Sequence, residues 1–479
     1  MDVRLADDDR PVFVDLDETL IRTDLLWESL FLFARQKPLE LWRVPLWLAA
    51  GRARLKAELA AGIEFDPAAL PYRDSVVAEI EAARAAGRRV VLATGANERL
   101  AGAVADHLGC FDAVIASDAT TDLTPDAKLA RIEAESGERG FSYFGHRRED
   151  LGLLDKADDA VVVAPGRRVR QWQAKTGSHA VEDDTSRLRA LAKVMRPHQW
   201  AKNVLVFVPM VLSHEYFDAR MLLEGLLAFL AFSFAASSVY IVNDLLDLSA
   251  DRRHKTKRRR PFAAGTVPIP QGLMLAAGLV ASSVLLASML PVEFRWMLAA
   301  YFVATTAYSF SLKRMLLVDV LTLAGLYTAR IIAGAFAMDV NVSFWLLAFS
   351  VFFFLSLALV KRFTELLEAG PGAQRNQTGR GYVAADLETI GQAGMSSAFA
   401  SVLVLALYID SADVRHLYAE PFVIWLLCPL VLYIIVRIWM LARRGAMHED
   451  PVVFIMRDWR SQLMIGLGAA LFFLAANGF

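Results

Sequence analysis

The chain reads Asn243-Asp-Leu-Leu-Asp-Leu-Ser-Ala-Asp-Arg-Arg-His-Lys-Thr-Lys-Arg-Arg-Arg-Pro261 directly after a long apolar stretch. Asp244, Asp247 and Asp251 recur at three- and four-residue spacing, which predicts that all three lie on one face of a continued helix. Three carboxylates so close repel one another unless a cation lies between them, and oxygen ligands favour Mg2+, which usually holds a substrate diphosphate as well. The basic residues of 252–260 could hold the rest of an anionic substrate, although such a run is also typical of a cytoplasmic anchor for a membrane helix. The pattern predicts an active site at a membrane surface.

The composition indicates a chain of two parts. Its 479 residues are enough for two or more domains. Apolar residues make up 56% of it, and their excess is concentrated after about residue 200. Cys110 and Cys428 lie in different regions, which argues against a disulfide framework. The N-terminus has no apolar signal-peptide core, so we expect the first domain in the cytoplasm.

Residues 1–185 are predicted to form a soluble α/β domain, with 166–189 as the connector. Short apolar runs alternate with helical segments, the pattern of a parallel sheet covered by helices; these runs are Pro11–Leu16, Arg89–Ala93, Ala113–Ala116, Phe141–Phe144 and Ala160–Ala164. A section near 25–60 departs from this pattern, because it is rich in Leu and Trp but interrupted by Arg35, Lys37 and Arg43. It suits helices that lie on the membrane or on the second half, and a helical cap packed on the domain's own core is the alternative.

Residues 190–479 are predicted to form an all-α membrane domain of about nine helices. The apolar segments are Val204–Ser213, Met221–Val242, Gly272–Leu290, Trp296–Ser311, Leu316–Ala337, Phe344–Val360, Met395–Ile409, Phe422–Leu441 and Leu463–Ala476. If the N-terminus lies in the cytoplasm, the loops at 243–270, 312–315, 361–394 and 442–462 lie on the cytoplasmic side of the membrane as well. These loops hold nearly all the basic residues of the membrane domain. The positive-inside rule therefore predicts a multi-pass protein of a bacterial-type cytoplasmic membrane with its first domain in the cytoplasm.

Further polar groups lie at the predicted cytoplasmic helix ends. Arg330 is different, because it follows Asp319 by eleven residues and would lie about 16 Å deeper along the same helix face. A charge at that depth needs a partner or a wet cavity and counts as a functional candidate. Arg196 and Lys202 could equally be ordinary interface anchors. The candidates are Arg196, Lys202 and Asn203 before the first helix, Tyr308 and Lys313 at the end of the fourth, Asp319 and Arg330 on the fifth, and Lys361, Arg362, Glu365, Arg380 and Tyr382 after the sixth.

These residues resemble the UbiA superfamily of membrane transferases, and the Asn-Asp-x-x-Asp-x-x-x-Asp motif at 243–251 is specific for it in a nine-helix setting. Most members transfer a prenyl group to an aromatic acceptor with two aspartate-rich motifs and Mg2+. Here the second motif is incomplete, because Leu323 occupies the place of an aspartate four residues after Asp319. The Arg-Pro-x-Gln-Trp-x-Lys-Asn start at 196–203 and the Lys-Arg-x-x-Glu loop at 361–365 are similar to one branch, the decaprenyl-phosphate phosphoribosyltransferases.

That resemblance implies phosphoribosyl diphosphate as donor and a polyprenyl phosphate as acceptor. Mg2+ held by Asp244, Asp247 and Asp251, beside Asn243, would bind the diphosphate as it leaves. The 5-phosphate would be held by Arg252, Lys257, Arg258 and Arg260, and the lipid phosphate by Lys202, Lys313 and Arg196. Catalysis would consist mainly of positioning and charge neutralisation, because a phosphate monoester is already ionised at neutral pH.

The first half carries a second constellation, Val12-Phe-Val-Asp15-Leu-Asp17-Glu-Thr19, at the end of an apolar strand, where open α/β sheets bind ligands. With Thr94, Lys128 and Asp150 downstream, residues 10–165 resemble the haloacid dehalogenase-like (HAD) hydrolases, which have a Rossmann-like sheet and a small cap. The resemblance implies that Asp15 attacks a phosphate monoester and that Asp17 acts as acid and base. Thr94 and Lys128 would hold the phosphoryl oxygens, and Asp15, Asp17 and Asp150 would provide the Mg2+ site. The family's last motif usually begins Gly-Asp, whereas this chain has Gly145-His146, which leaves the phosphatase activity open.

Together the two resemblances imply a bifunctional enzyme that makes a polyprenyl-phosphoryl 5-phosphoribose and then removes its 5-phosphate, and the resulting polyprenyl-phosphoryl ribose would suit cell-envelope biosynthesis. An aromatic-acceptor prenyltransferase with a regulatory or degenerate HAD domain is the alternative, and a membrane scaffold or transporter is a third interpretation. The expected partners are the bilayer, polyprenyl phosphate and phosphoribosyl diphosphate, with no nucleic acid. The sequence leaves a homo-oligomer open.

Overall fold

The computed structural model describes residues 9–181, 187–213, 218–370, 381–411, 418, 420–447 and 450–477. Its contacts divide the chain into two units. The first joins Met1–Met195 to Ile241–Leu275, and the second joins Arg196–Tyr240 to Ala276–Phe479. The segment that follows the first long apolar helix therefore groups by contact with the first unit.

The first unit is built on a parallel sheet of six strands in the order β3-β2-β1-β4-β5-β6. The strands are β1 Val12–Val14, β2 Val90–Asn97, β3 Ala113–Ser117, β4 Ser142–Gly145, β5 Asp159–Val163 and β6 His179–Val181. The chain runs from central β1 outward to β3 and returns to β4 on the other side of β1. Neighbours β1 and β4 therefore form a topological switch point, where the carboxyl ends of strands open a crevice for ligands.

The sheet is buried on both faces because successive residues of its apolar strands point to opposite sides. Val12 and Val14 join one core cluster, whereas Phe13 joins the other. Helices pack against the strands, and the helices of the first unit before residue 196 are Leu25–Gln36, Arg43–Ala49, Arg52–Gly62, Asp74–Ala85, Glu98–Leu108, Pro125–Ser136, Leu151–Lys156, Arg167–Thr176 and Arg187–Val194. The prediction of a helix-covered parallel sheet is confirmed.

Two expectations for the first half need correction or refinement. Residues 166–189, predicted as a connector, instead contain the helix Arg167–Thr176 and the sixth strand. The section near 25–60 forms three helices, and Phe33, Trp47 and Leu55 pack into the domain's core.

The remaining helices are Val208–Leu212, Ala219–Leu246, Leu248–Arg253, Ile269–Ser288, Val292–Phe310, Val318–Ala337, Phe344–Ala369, Leu387–Ile409, Pro421–Ile424, Leu427–Arg443, Pro451–Arg457 and Trp459–Asn477. Within the described residues, six helical stretches are long and apolar enough to cross a membrane: Ala219–Leu246, Ile269–Ser288, Val318–Ala337, Phe344–Ala369, Ala384–Ile409 and Phe422–Arg443. A shorter apolar helix, Trp459–Ala475, follows.

The all-α membrane architecture is confirmed, but the predicted count of nine spanning helices is higher than these six. The first predicted helix, Val204–Ser213, is instead split between a 3-10 segment, Pro197–Phe207, and the short helix Val208–Leu212. That 3-10 segment packs tightly on helix Val318–Ala337, since a methyl group added at Gly334 would lie 1.9 Å from the Val206 carbonyl oxygen. Glycine is therefore required where the two backbones approach.

Candidate functional site

The first polar centre lies at the switch point of the sheet. Asp15 directly follows β1, Asp150 lies after β4, and the buried Lys128 lies between them. The Lys128 Nζ atom donates to Asp15 Oδ1 at 3.0 Å, to Asp150 Oδ1 at 3.4 Å and to the Tyr143 hydroxyl at 2.9 Å. The Tyr143 hydroxyl lies 3.2 Å from Asp150 Oδ1 and donates to it. One ammonium group thus reaches two carboxylates that are 113 and 22 residues away in the sequence.

The second aspartate of the loop is held by backbone rather than by a cation. Asp17 Oδ1 accepts a hydrogen bond from the Leu25 amide at 2.8 Å, at the start of helix Leu25–Gln36. Arg147 fixes the rest of the loop, because it pairs with Glu18 at 3.2 Å and with Asp24 at 2.5 Å. Glu18 has a φ of 58°, a left-handed conformation uncommon for a residue with a side chain. The loop is therefore shaped by contacts to the segment after β4.

Burial sets the proton affinities in this centre. Burial raises the pKa of Asp15 to about 6, and Asp150 adds to the rise while Lys128 opposes it. Burial and the neighbouring Asp24 raise the pKa of Asp17 to about 8, so its carboxyl group is protonated at neutral pH without a metal ion. Burial alone would lower the pKa of Lys128, but Asp15 and Asp150 outweigh it and raise that pKa. The ammonium group of Lys128 therefore stays charged in this centre.

The donor set fits Mg2+, although in the described part of the chain no three His, Cys, Asp or Glu side chains already lie together as a metal cluster. Asp15 and Asp150 offer carboxylate oxygens close enough to share one cation, the Lys128 ammonium. Mg2+ often binds through one or two carboxylates, with water and substrate phosphate completing its shell. Two carboxylates and a phosphate would therefore suffice here.

Thr94 and His146 have structural partners in this centre. Thr94 is buried, its Oγ1 atom accepts from the Ala96 amide at 3.0 Å, and the cavity is lined by the neighbouring Gly95 and Ala96 instead. His146 Nδ1 lies 2.7 Å from the Val163 carbonyl oxygen, and burial lowers the pKa of the imidazole. The imidazole at the position where the family has an aspartate is thus tied to β5.

A cavity of about 780 Å³ opens above Asp15, Asp17, Lys128 and Asp150. Sequence reasoning missed Lys56, which donates to the Gly95 carbonyl and to Asp122, both at 2.6 Å. It also missed the other cations, because they come from segments without a motif. Such a lining suits an anionic substrate. The additional basic residues of the lining are Arg52, Lys56, Arg147, Arg148, Arg167 and Arg168.

The prediction that the aspartate-rich segment 243–251 continues a single helix is wrong. Helix Ala219–Leu246 ends before Asp247, and a new helix begins at Leu248. Asp244 and Asp251 still share a partner, because Arg260 Nη1 donates to them at 3.0 and 2.6 Å. Asp247 instead accepts from Asn243 Nδ2 at 3.3 Å and from Arg35, which also donates to the Leu246 carbonyl at 3.1 Å. Two of the three carboxylates, those of Asp244 and Asp251, therefore contact the same cation, Arg260. Two carboxylates are still enough to bind Mg2+.

The basic run after these aspartates has two kinds of member. Arg252 is mostly buried and forms a bidentate pair with Glu28, at 2.6 and 3.1 Å, which differs from the expected role in holding a phosphate. Lys257 and Arg258 are exposed, and Arg260 is half-buried between the two aspartates.

The second unit contains a buried polar cluster around Asp450, a residue that sequence reasoning missed. Asp450 accepts hydrogen bonds from Lys202 at 2.7 Å, Lys361 at 3.2 Å and the Tyr327 hydroxyl at 3.1 Å. Burial would raise the pKa of Asp450, but the two lysines outweigh it and hold that pKa well below its usual range. The only sequence signal was an acidic residue before a proline, the N-cap of helix Pro451–Arg457.

Arg330 lies buried within the same unit and has neutral partners among the described residues. It donates to Asn203 Oδ1 and to the Tyr301 hydroxyl, both at 2.8 Å, and to the Leu326 carbonyl. Among the described residues, three cations therefore lie around Asp450 and Tyr327, namely Lys202, Lys361 and Arg330. The carboxylate of Asp450 is the one negative charge that these contacts include. Lys202 and Arg330 are buried and Lys361 is half-buried, and such a surplus of positive charge favours an anion as ligand.

The other predicted binding residues of the second unit form structural contacts or lie elsewhere. Arg362 is buried and pairs with Asp319 at 3.2 Å and with Glu365, while the Tyr382 hydroxyl donates to Asp319 at 2.5 Å. One guanidinium group thus lies between two carboxylates in this set. Arg196 lies 5.4 Å from the Tyr240 ring centre, Tyr308 and Lys313 are half-buried, and Arg380 lies outside the described residues.

Comparison with known proteins agrees with both halves. Residues 204–459 match the UbiA prenyltransferase family, and residues 12–155 match the haloacid dehalogenase-like hydrolases. The chain belongs to the UbiA prenyltransferase family and carries an N-terminal haloacid dehalogenase-like domain. It is therefore an integral membrane protein of a transferase family, and the resemblance drawn from its motifs is confirmed.

The chain is also similar in sequence to three individual proteins, over different shares of its length. The chain is 38% identical to the uncharacterized protein y4nM of Sinorhizobium fredii, over 99% of this chain and 93% of that protein. It is 34% identical to the nodulation protein NoeC of Azorhizobium caulinodans, over 58% of this chain and 91% of that protein. It is 35% identical to a decaprenyl-phosphate phosphoribosyltransferase of Mycolicibacterium smegmatis, over 47% of this chain and 71% of that protein.

Proposed function

We propose that this chain is a bifunctional enzyme of a bacterial-type cytoplasmic membrane, with its N-terminus in the cytoplasm. Residues 190–479 transfer 5-phosphoribose from phosphoribosyl diphosphate to a polyprenyl phosphate, and residues 1–185 then remove the 5-phosphate to give polyprenyl-phosphoryl ribose. The observation that carries the proposal is the union, in one chain, of similarity to a decaprenyl-phosphate phosphoribosyltransferase with the Asp15–Lys128–Asp150 centre.

In the transfer step, a phosphate oxygen of the lipid attacks the anomeric carbon of the sugar, and the bond from that carbon to the diphosphate breaks. Asp244 and Asp251 would hold Mg2+, which when bound neutralises charge on the departing diphosphate. Lys202 and Lys361, which Asp450 orients, bind phosphate oxygens of a substrate. The cation surplus around Asp450 and Tyr327 supports this role because a phosphate monoester carries the opposite charge.

In the phosphatase step, Asp15 attacks the phosphorus atom and the bond to the sugar oxygen breaks. Asp17 gives its proton to that oxygen, and it later accepts a proton from the water that hydrolyses the aspartyl-phosphate. Lys128, hydrogen-bonded to Asp15 at 3.0 Å, orients the nucleophile and balances its charge. Asp15 and Asp150 would hold Mg2+, which supplies further charge neutralisation at the phosphoryl group.

The test is mass spectrometry of lipids after purified protein is incubated with Mg2+, polyprenyl phosphate and phosphoribosyl diphosphate. We expect the ribosyl lipid from the wild type, the phosphoribosyl lipid from Asp15→Asn, and neither from Asp244→Asn. Unchanged products with Asp15→Asn would remove the phosphatase assignment. If folded wild-type protein forms no new lipid but consumes prenyl diphosphate with an aromatic acceptor, the transferase assignment is wrong.

A further inference from the structure

Residues 39–48, in the helical section near the start of the first unit, expose four large apolar side chains. Leu39 is 90% exposed, Trp42 67%, Leu46 59% and Leu48 55%. We call these four residues the insert face. They lie on and before the short helix Arg43–Ala49, whereas Leu55 and Leu59 of the next helix are buried in the core of this unit.

The opposite side of the same segment is anchored in the core. Trp47 is buried against Phe33, with ring centres 5.4 Å apart, and the Arg43 guanidinium lies 5.1 Å from the centre of the Trp47 ring. Trp47 and Phe33 belong to the same core cluster as the central strands. The helix therefore has a fixed inner side and a fixed apolar outer side, so the exposure of the insert face is part of the fold.

The insert face follows a residue that contacts the end of a membrane helix. Arg35 donates to the carbonyl of Leu246, the last residue of Ala219–Leu246. That helix of 28 residues is about 42 Å long, enough to cross the hydrocarbon core and reach the headgroups. Leu39 comes four residues after Arg35 and so lies within about 14 Å of it. The bilayer surface is therefore within reach of the insert face.

The charges around the insert face have one prevailing sign. Residues 35–56 contain six Lys and Arg residues but a single acidic residue, Glu40. Lys37 and Arg52 are exposed at either end of the segment. Exposed Trp and Leu beside Lys and Arg are typical of segments that lie in the headgroup region, where anionic lipids attract the cations.

We propose that the insert face is a membrane-contact surface whose occupant is the anionic lipid of the bilayer that holds the same chain. The inference depends on the chain being an integral membrane protein and not on its reaction. The next helix, Arg52–Gly62, carries Arg52 and Lys56 into the wall of the 780 Å³ cavity. The insert face is therefore separated from the wall of that cavity by a single helix.

The test uses full-length protein in nanodiscs of mixed neutral and anionic lipid, with and without bromine atoms on the acyl chains. An environment-sensitive fluorophore is attached through Leu46→Cys or, as the matched control, through Glu133→Cys, an exposed polar position of the same unit. Cys110 and Cys428 are buried, and the unsubstituted protein gives the background labelling. We expect brominated lipid to quench most of the fluorescence at position 46 and little at position 133.

A second variant separates lipid contact from local packing. Trp42→Glu adds a charge to the insert face without touching the core, so it should restore most of the fluorescence at position 46. Quenching at position 46 no greater than at position 133 would overturn the proposal. A blue-shifted emission that bromine does not quench, and that grows with the number of chains per disc, would assign the insert face to a second copy instead.

Discussion

Replacement of Lys128 by methionine tests the electrostatic design of the first centre. Lys128 is 4% exposed and donates to Asp15, Asp150 and Tyr143. Methionine is unbranched and only one atom shorter than lysine but lacks the ammonium, so two buried carboxylates face each other without a cation. Lys156→Met is the control, because Lys156 is exposed on the same unit.

The magnitude follows from the loss of one partner of a buried ion pair, which costs about 3–5 kcal/mol. Mg2+ at a hundred times its dissociation constant stabilises a binding-competent fold by about 2.7 kcal/mol, so it should recover much of that loss. Removal of a preorganised donor at a reacting group typically lowers the rate about 10²–10³-fold. We therefore expect Lys128→Met to lower dephosphorylation by about that factor while transfer continues.

The assay has two readouts on one preparation. Mass spectrometry gives the ratio of phosphoribosyl to ribosyl lipid, and limited proteolysis across a temperature series reports the stability of the first unit with and without Mg2+. We expect phosphoribosyl lipid to accumulate and the variant to depend more on Mg2+ than the wild type does. A Lys128→Met protein that matches Lys156→Met in both readouts would refute the reasoning.

Two further predictions concern the second unit. Asp450→Asn removes the carboxylate shared by Lys202 and Lys361, and we expect a loss of about 3–5 kcal/mol in stability and reduced transfer, with dephosphorylation of added phosphoribosyl lipid unchanged. Thermal unfolding in detergent and the lipid assay check this, with the exposed Glu388→Gln as control; equal transfer in the two variants would contradict it. Gly334→Ala should destabilise by about 1–3 kcal/mol because its methyl group meets the Val206 carbonyl, whereas Gly325→Ala on the same helix meets open space and should gain up to about 1 kcal/mol. Equal melting temperatures for these two alanine variants would show that the backbones do not approach closely.

Local sequence signals predicted most of the sheet and the apolar helices. The five apolar runs became the first five strands, because continuous Val, Ile and Phe residues fit a sheet buried on both faces. The sixth strand, His179–Val181, was missed because it is short and lies at the edge of the sheet, where it is only partly buried. The first predicted membrane helix was wrong because Val204–Ser213 divides between a 3-10 segment and a five-residue helix.

The candidate sites were less predictable, because they depend on pairings between distant residues. Periodicity placed Asp247 with Asp244 and Asp251, but the helix break at Asp247 and its contact with Arg35 separate it from them. Asp450 gave almost no signal, since its partner Lys202 lies 248 residues away in the sequence. Spacing along one helix can be read from the sequence, whereas the choice of a counterion from another segment is made by the fold.

The discontinuity of the first unit has a consequence for biosynthesis. Glu28 and Arg35 leave the ribosome 224 and 211 residues before Arg252 and Leu246, their partners. At roughly 5–20 residues per second, this delay lasts on the order of 10–45 s. During that time the helix Ala219–Leu246 is synthesised, and its last residues, from Ile241 onward, already belong to the second part of the unit. The first unit can therefore complete these contacts only after the first long apolar helix has been synthesised, so the folding of this unit waits for the synthesis of a helix that is long enough to span a membrane.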